Sequence, residues 1–230
     1  MKKFLFFAVI GLPAILYAQP KDTLHLLQLH APDTFCVQMV TSKGSMIIRI
    51  NRSWSPLGAD RFYQLVTSHY YDNSRLFRSN RKYLQFGISN DSAVNVFWDR
   101  HAINDEQLIQ KNTAGTISFA MGGPNSRSAS VYFNKVDNPK LDTIQHGTGF
   151  PGFGTIIEGD SLLAVFENKY EDSVVFKEWD SMMVKGNAYT DRVLPRLDYI
   201  ISMSLTECGP FYNKEAFRKD ETQEPQNRTR

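Results

Sequence analysis

The stretch GTISFAMGGPNSRSASVYFN, residues 115–134, has the pattern of two β-strands joined by a turn. Apolar side chains alternate in the first half, a Gly-Gly-Pro-Asn sequence interrupts the alternation, and an apolar run resumes after it. The apolar positions are Ile117, Phe119, Met121 and Val131-Tyr132-Phe133. Further along the chain come Lys-Leu-Asp at 140–142 and Gly-Phe-Pro-Gly-Phe-Gly at 149–154. The alternation predicts a β-rich protein, and the order of these short sequences is more specific than the alternation alone.

The length and charge of the chain limit the classes of function. With 230 residues, it has room for one domain, or two at most, and for a substantial core. It has 26 basic and 24 acidic residues, without the basic stripe that nucleic-acid binding requires. We therefore expect no nucleic-acid partner, and we expect a monomer.

The N-terminus has the pattern of an export signal. Two lysines, Lys2 and Lys3, precede an apolar run at 4–16 that is short for a membrane span, and Ala18 offers a small residue for cleavage. We interpret residues 1–18 as a signal peptide of bacterial type, which predicts an exported and periplasmic mature chain without stable membrane insertion. An uncleaved membrane anchor is the alternative.

The remaining chain divides into a lead-in at 19–34, a domain at 35–206 and a polar, disordered tail at 207–230. Helical spacing of apolar residues predicts a helix at 56–68, with Ser55 as its cap, and a second helix at 160–170. Segments 89–112 and 171–195 are expected to be irregular, and Asp99, Asp105 and Glu106 to be solvated surface. Strands are predicted at 35–41, 46–51, 70–78, 83–88, 115–121, 130–134, 152–158 and 197–205.

Two cysteines lie near the two ends of the predicted domain. Cys36 is at the start of the first strand and Cys208 follows the last one, so antiparallel pairing of these strands would make them neighbours. In an oxidising compartment they could form one disulfide. Two free thiols are the alternative.

The order of the short sequences resembles the cyclophilin family of peptidyl-prolyl cis-trans isomerases. Residues 119–127 read FAMGGPNSR, Leu141-Asp142 follows, and 150–159 read FPGFGTIIEG. Four more segments resemble family sequences, in order: 55–62, 70–78, 85–88, and 186–189 with 195–200. The resemblance covers about 35–205 and implies a mainly β fold, a closed eight-stranded antiparallel barrel capped by two helices.

The resemblance also implies a reaction and a site. Cyclophilins accelerate rotation about Xaa-Pro bonds without a metal or cofactor, and their partners are proline-containing polypeptides. By position, Arg78 corresponds to the catalytic arginine, and Gln85 corresponds to the glutamine that hydrogen-bonds the substrate backbone and helps to orient the arginine. The substrate-binding positions are Tyr83, Tyr132, Leu141 and Phe150 for the proline pocket, Ala120 and Met121 for backbone contacts, and Ser130.

The chain departs from the family pattern around this site. The turn at 79–82 differs in sequence, Ser130 stands in place of a second glutamine, and Lys140 in place of a rim tryptophan. Two functions are therefore open: an isomerase that assists folding of exported clients, or a catalytically weak proline-peptide-binding module or chaperone on the same scaffold.

Overall fold

The structure is a computed structural model that describes residues 23–144, 148–166 and 169–209. The predicted signal peptide at 1–18 lies outside the described residues, as does the predicted tail from residue 210 onward. Of the predicted lead-in, residues 23–34 are described.

Eight strands form one antiparallel sheet with the order β3-β4-β6-β5-β7-β2-β1-β8. The edge strands β3 and β8 are connected indirectly: Arg75 bridges Tyr199, and Ile200 N donates to Ser74 O at 2.8 Å. The predicted mainly β, eight-stranded cyclophilin-like fold is thereby confirmed. The strands are β1 Thr34–Thr41, β2 Gly44–Asn51, β3 Arg78–Ser79, β4 Tyr83–Phe86, β5 Thr116–Phe119, β6 Val131–Asn134, β7 Gly152–Glu158 and β8 Ile200–Thr206.

The helical part of the chain is larger than the sequence predicted. Its helices are α1 Thr23–Leu26, α2 Pro56–Thr67, α3 Ser92–Arg100, α4 Leu162–Val165, α5 Asp172–Lys177 and α6 Trp179–Val193, with 3-10 turns at Arg52–Trp54 and Pro139–Asp142. The prediction for 56–68 is confirmed by α2. The helix predicted at 160–170 is wrong in length: among the described residues of this range, α4 ends at Val165, and Phe166 already has extended backbone angles.

The prediction of irregular structure was wrong for α3 within 89–112 and for α5 and α6 within 171–195, whereas the described segment 101–112 contains no helix or strand, as expected. In the first segment, the Asp91 carboxylate accepts hydrogen bonds from the N–H groups of Ala93 and Val94 and caps α3, whose Trp98 is fully buried. In the second, Val175 and Met182 are buried on one face of α5 and α6. All three helices are held in place by tertiary burial of these side chains.

Helix α2 is capped by a side chain far away in sequence. Ser55 does precede α2, but its side chain does not cap it. Glu106 takes that role: its carboxylate accepts hydrogen bonds from Leu57 N at 2.7 Å, Gly58 N at 3.2 Å and the Ser55 hydroxyl. Glu106 also pairs with the buried Arg127 at 3.0 Å, so its interpretation as solvated surface was wrong.

Asp60 attaches the lead-in to the domain. Its carboxylate binds Arg52 through two hydrogen bonds of 2.7 and 2.9 Å, and accepts a third from Ala31 N at 2.8 Å. His30 Nδ1 lies 2.9 Å from the same group. Burial opposes ionisation of Asp60, but these hydrogen bonds outweigh it and hold the pKa of the carboxyl below its usual value.

A disulfide joins Cys36 to Cys208. Cys36 pairs with Thr206 in the antiparallel contact of β1 with β8, so the sheet register brings the two sulfurs together. The alternative of two free thiols does not hold in this structure.

Candidate functional site

The register of three adjacent strands places the polar residues of the site in one row. Arg78 of β3 pairs with Gln85 of β4, and Gln85 pairs in turn with Tyr132 of β6. Directly paired residues in a sheet project to the same face, so the three side chains lie next to one another. Residues that are 54 positions apart in sequence become neighbours by pairing alone.

The Arg78 guanidinium is held by two acceptors. Nη1 donates to Gln85 Oε1 at 3.1 Å, and Nη2 donates to Asp172 Oδ2 at 2.6 Å. The rings of Tyr83 and Phe176 lie 5.0 and 5.2 Å from its central carbon. Nε is buried and donates to no group of the described residues. The side chain therefore keeps unused donors while its orientation is fixed at two points.

Gln85 links Arg78 to Ser130. Its Nε2 donates to Ser130 Oγ at 3.0 Å, and that hydroxyl donates to Phe86 O at 3.3 Å. Gln85 is buried, and both polar atoms of its side-chain amide have hydrogen-bond partners, as buried polar groups require. The result is a polar chain along one wall of the cleft.

An apolar cluster forms the floor of the cleft. Tyr132, Leu141 and Phe150 are buried together, and Tyr83, Ala120 and Met121 pack against them partly exposed. The ring centroids of Tyr83 and Tyr132 are 5.4 Å apart, and those of Tyr132 and Phe150 are 6.1 Å apart. Burial raises the pKa of the Tyr83 and Tyr132 hydroxyls, so both stay neutral at physiological pH.

Asn112 explains why the loop residues Leu141 and Phe150 are buried. Its amide nitrogen donates to Asp142 Oδ1 at 2.9 Å and to Phe150 O at 3.0 Å, and its oxygen accepts from the Tyr132 hydroxyl at 3.0 Å. Phe150 N also donates to Leu141 O at 2.9 Å. One buried amide thus connects both loops to β6.

All nine residues predicted from the sequence border a single cleft of about 680 Å³. They are Arg78, Tyr83, Gln85, Ala120, Met121, Ser130, Tyr132, Leu141 and Phe150. Ala120 N donates to Ser130 O at 2.9 Å, so this backbone donor is already used within the protein. The structure brings the nine together, and their individual roles remain predictions.

Helices α5 and α6 add a wall that the sequence reasoning missed. Asp172, Phe176, Trp179 and Asp180 come from the segment expected to be a loop, and the last three border the cleft. The spacing of Val175, Trp179 and Met182 was the available signal, because it is helical. The missed Asp172 carries a lowered pKa, chiefly because Arg78 donates a hydrogen bond to its carboxylate.

The described residues contain neither a metal-binding cluster nor a membrane-spanning helix. No group of three or more His, Cys, Asp and Glu side chains in this part of the chain is arranged to hold a metal ion. None of the helices within it has the length and apolarity to cross a membrane.

Comparison with known sequences gives one family. The profile described as cyclophilin type peptidyl-prolyl cis-trans isomerase/CLD matches residues 36–186. A protein of Rhizopus delemar named peptidyl-prolyl cis-trans isomerase-like 3 is 28% identical over 143 residues, covering 57% of this chain and 81% of the relative. An Acinetobacter baylyi protein named peptidyl-prolyl cis-trans isomerase is 24% identical over 145 residues, covering 62% of this chain and 77% of that one.

Comparison with solved structures gives the same fold. A cyclophilin type peptidyl-prolyl cis-trans isomerase of Cryptosporidium parvum matches with a TM-score of 0.55 at 18% identity, over 76% of this chain and 99% of that one. Its structure in the presence of the dipeptide Ala-Pro matches with a TM-score of 0.53, also at 18% identity, over 75% and 99% of the two chains.

Proposed function

This chain belongs to the cyclophilin-type peptidyl-prolyl cis-trans isomerase family, and from that premise we propose that it accelerates rotation about Xaa-Pro bonds in exported proteins while they fold. Resonance gives the peptide C–N bond its partial double-bond character and a rotation barrier of about 18–20 kcal/mol. Uncatalysed isomerisation therefore takes on the order of tens to hundreds of seconds, slow enough to limit folding. A catalyst for this step needs to favour the twisted amide over the planar one.

Arg78 supplies that preference. When the amide twists, resonance is lost and the lone pair of the prolyl nitrogen becomes a hydrogen-bond acceptor. A guanidinium N–H directed at this nitrogen stabilises the twisted state and gains nothing from the planar one. Arginine suits the position because it stays charged beside an apolar floor and has several fixed donors, of which Arg78 has unused ones.

The apolar cluster holds the proline ring during the rotation. Tyr132, Leu141 and Phe150 form a buried floor, and Tyr83 and Met121 pack beside it. The remaining peptide lies along the cleft, where Gln85 and Ser130 offer polar contacts. Holding the ring while the other side of the bond turns needs no covalent step.

The observation that carries the proposal is the contact of Arg78 with Gln85 at the border of this apolar floor. The test is the rate of cis-to-trans conversion of an Xaa-Pro tetrapeptide by the purified protein. We expect Arg78→Ala to lower kcat/KM roughly a hundredfold, the scale for removing one preorganised donor. Arg81→Ala, which removes an exposed arginine three positions away, is the matched control and should retain the wild-type rate.

The second candidate function is a proline-peptide-binding module with little catalysis. One observation favours it: Asp172 pairs with Arg78 and takes up part of its donor capacity. Under this alternative the wild-type protein binds proline peptides without accelerating their conversion, and Arg78→Ala leaves their affinity nearly unchanged. The same two measurements, rate and affinity, separate the two functions.

Export of the protein is supported by two features. Residues 1–18 have the pattern of a signal peptide, and the Cys36–Cys208 disulfide suits an oxidising compartment such as the periplasm. In a bacterial expression host, we expect the periplasmic fraction to contain protein whose N-terminal residue is Gln19. Uncleaved protein that stays with the membrane fraction would instead support the anchor alternative.

A further inference from the structure

Asp172 makes the shortest of the hydrogen bonds to the Arg78 guanidinium. The 2.6 Å distance from Nη2 to Oδ2 is that of a charge-assisted hydrogen bond. The carboxylate is itself held by Asn80, whose Nδ2 lies 3.2 Å from the same oxygen. Asn80 Oδ1 accepts from Tyr83 N at 2.9 Å, so the turn at 79–82 fixes the carboxylate as well.

Two anchors on different nitrogens determine the plane of the guanidinium. Gln85 holds Nη1 and Asp172 holds Nη2, so rotation about the terminal bonds of Arg78 would break one of the two contacts. An arginine with one anchor keeps most of its rotamer freedom. Losing that freedom in each catalytic cycle costs conformational entropy and slows the reaction. Asp172 therefore supplies preorganisation that Gln85 cannot supply alone.

The carboxylate also has an opposing effect, since its negative charge weakens the field of the guanidinium. Both side chains of the pair retain contact with solvent, with 21% of Arg78 and 38% of Asp172 exposed. Water screens the charge of such a pair, whereas the direction of a hydrogen bond does not depend on screening. Orientation is therefore the larger of the two effects.

Helix α5 does not need this ion pair in order to stay in place. Val175 is fully buried, in a cluster with Phe77, Met182 and Leu194 that joins α5 and α6 to the sheet. A second ion pair of the same length, Arg75 Nη2 to Asp191 Oδ2 at 2.6 Å, connects α6 to the segment before β3. The Asp172 contact is thus one of several attachments of these helices, and the ring of Phe176 on α5 also lies against the Arg78 guanidinium.

We propose that Asp172 is a positioning residue that orients Arg78 for catalysis. The inference rests on the proposed isomerase function and deepens it, because it places one part of the catalytic machinery on α5. A change at Asp172 should act on the rate through Arg78 and leave the affinity of ground-state peptide nearly unaltered.

The test is a double-mutant cycle of Asp172→Ala and Arg78→Ala, measured as kcat and KM for an Xaa-Pro peptide. We expect Asp172→Ala to lower kcat roughly tenfold with KM nearly constant, and to have no effect when Arg78 is already alanine. Asp191→Asn is the matched control, because it breaks the other ion pair of similar exposure and length away from Arg78. It should leave kcat unchanged.

The results that would contradict the inference differ from those that would contradict the proposed function. A faster Asp172→Ala enzyme would show that the carboxylate restrains Arg78, and an equal loss in Asp191→Asn would show a docking role only; either overturns the inference while the isomerase function stands. A wild type without activity, or an Arg78→Ala variant with full activity, removes the proposed function itself. Independently of activity, the side-chain NMR signals of Arg78 should show faster guanidinium rotation in Asp172→Ala and not in Asp191→Asn; unchanged signals would contradict the inference.

Discussion

At the scale of single residues, Gln85 is the side chain on which the polar wall of the cleft depends. It accepts a hydrogen bond from Arg78 and donates one to Ser130, and it is buried while doing so. A buried amide with partners on both sides has one favourable orientation. Gln85 therefore connects the fixed geometry of β4 to the guanidinium of Arg78.

Replacing Gln85 by leucine should lower kcat/KM for an Xaa-Pro peptide roughly tenfold, since the lost hydrogen bond to a charged donor contributes about 1.5 kcal/mol. Leucine keeps the volume, so the fold should remain. Ser130→Ala tests the far end of the network: it removes the acceptor of Gln85 Nε2 and should lower the rate by a smaller factor than Gln85→Leu, because Gln85 still accepts the hydrogen bond from Arg78. If Ser130→Ala costs as much as Gln85→Leu, substrate contacts rather than orientation of Arg78 explain the effect.

The residues that line the cleft could be predicted from the sequence, but the residues that hold them in place through hydrogen bonds could not. Leu141 and Phe150 could be placed by the short sequences around them, because these have a fixed order along the chain. Asn112 could not, since its importance comes from a convergence of five partners on four other segments that only the folded chain brings together. The same holds for Asp172, whose partner lies 94 positions away.

At the scale of elements, the strands were predicted better than the helices, except that the strand predicted at 70–78 is wrong before Arg78, where β3 begins. Alternation marks a strand locally, because its two faces differ at every second residue. Helices α5 and α6 bury only a narrow face, with Val175 and Met182, and expose Val174, Phe176 and Val184. Apolar residues on both faces weaken the amphipathic pattern, and the sequence of this segment therefore predicts a loop.

Helix α2 depends on Glu106, and a change there should reach both the helix and a buried charge. The Glu106 carboxylate accepts hydrogen bonds from Leu57 N and Gly58 N, and its negative charge compensates Arg127, whose side chain is fully buried. Glu106→Gln removes this negative charge. We expect the free energy of unfolding to fall by about 2–4 kcal/mol, since breaking a buried ion pair leaves one charge uncompensated. Urea denaturation at pH 7 measures it.

The control for this change is Asp99→Asn, an exposed carboxylate on α3 without a hydrogen bond or ion pair among the described residues. It should alter the free energy of unfolding by less than about 0.5 kcal/mol. Equal effects of the two substitutions would mean that the net charge of the surface, and not the cap, determines the stability of this region.

At the scale of the whole molecule, Asp60 makes stability depend on pH. Its pKa is lowered in the folded state, so its contribution is present above the unfolded value of about 3.9 and is lost as the pH falls through the folded pKa. Asp60→Asn should therefore cost about 2–3 kcal/mol at pH 7 and progressively less below pH of about 4. Urea unfolding of the wild type and of Asp60→Asn across this pH range measures the cost of the substitution. If the difference in free energy of unfolding between the two proteins did not change with pH, the effect would come from packing and not from the charge.

The disulfide acts on the whole chain because it closes nearly all of the domain into one loop. Cys36 and Cys208 are 172 positions apart, and the bond restricts the unfolded chain far more than the folded sheet, where β1 and β8 are already paired.

Replacing both cysteines by alanine should lower the free energy of unfolding by about 2–4 kcal/mol, and a reducing agent should produce the same loss in the wild type. The reducing agent should have no effect on the double variant, which separates the bond from any other action of the reagent. Isomerase activity of the reduced protein should persist at temperatures below its lowered Tm, because Cys36 pairs with Thr206 at one end of β8, whereas the contact of β8 with the segment before β3 is at its other end, where Ile200 N donates to Ser74 O. Loss of activity without loss of folding would mean that the β1–β8 contact controls the geometry of the cleft.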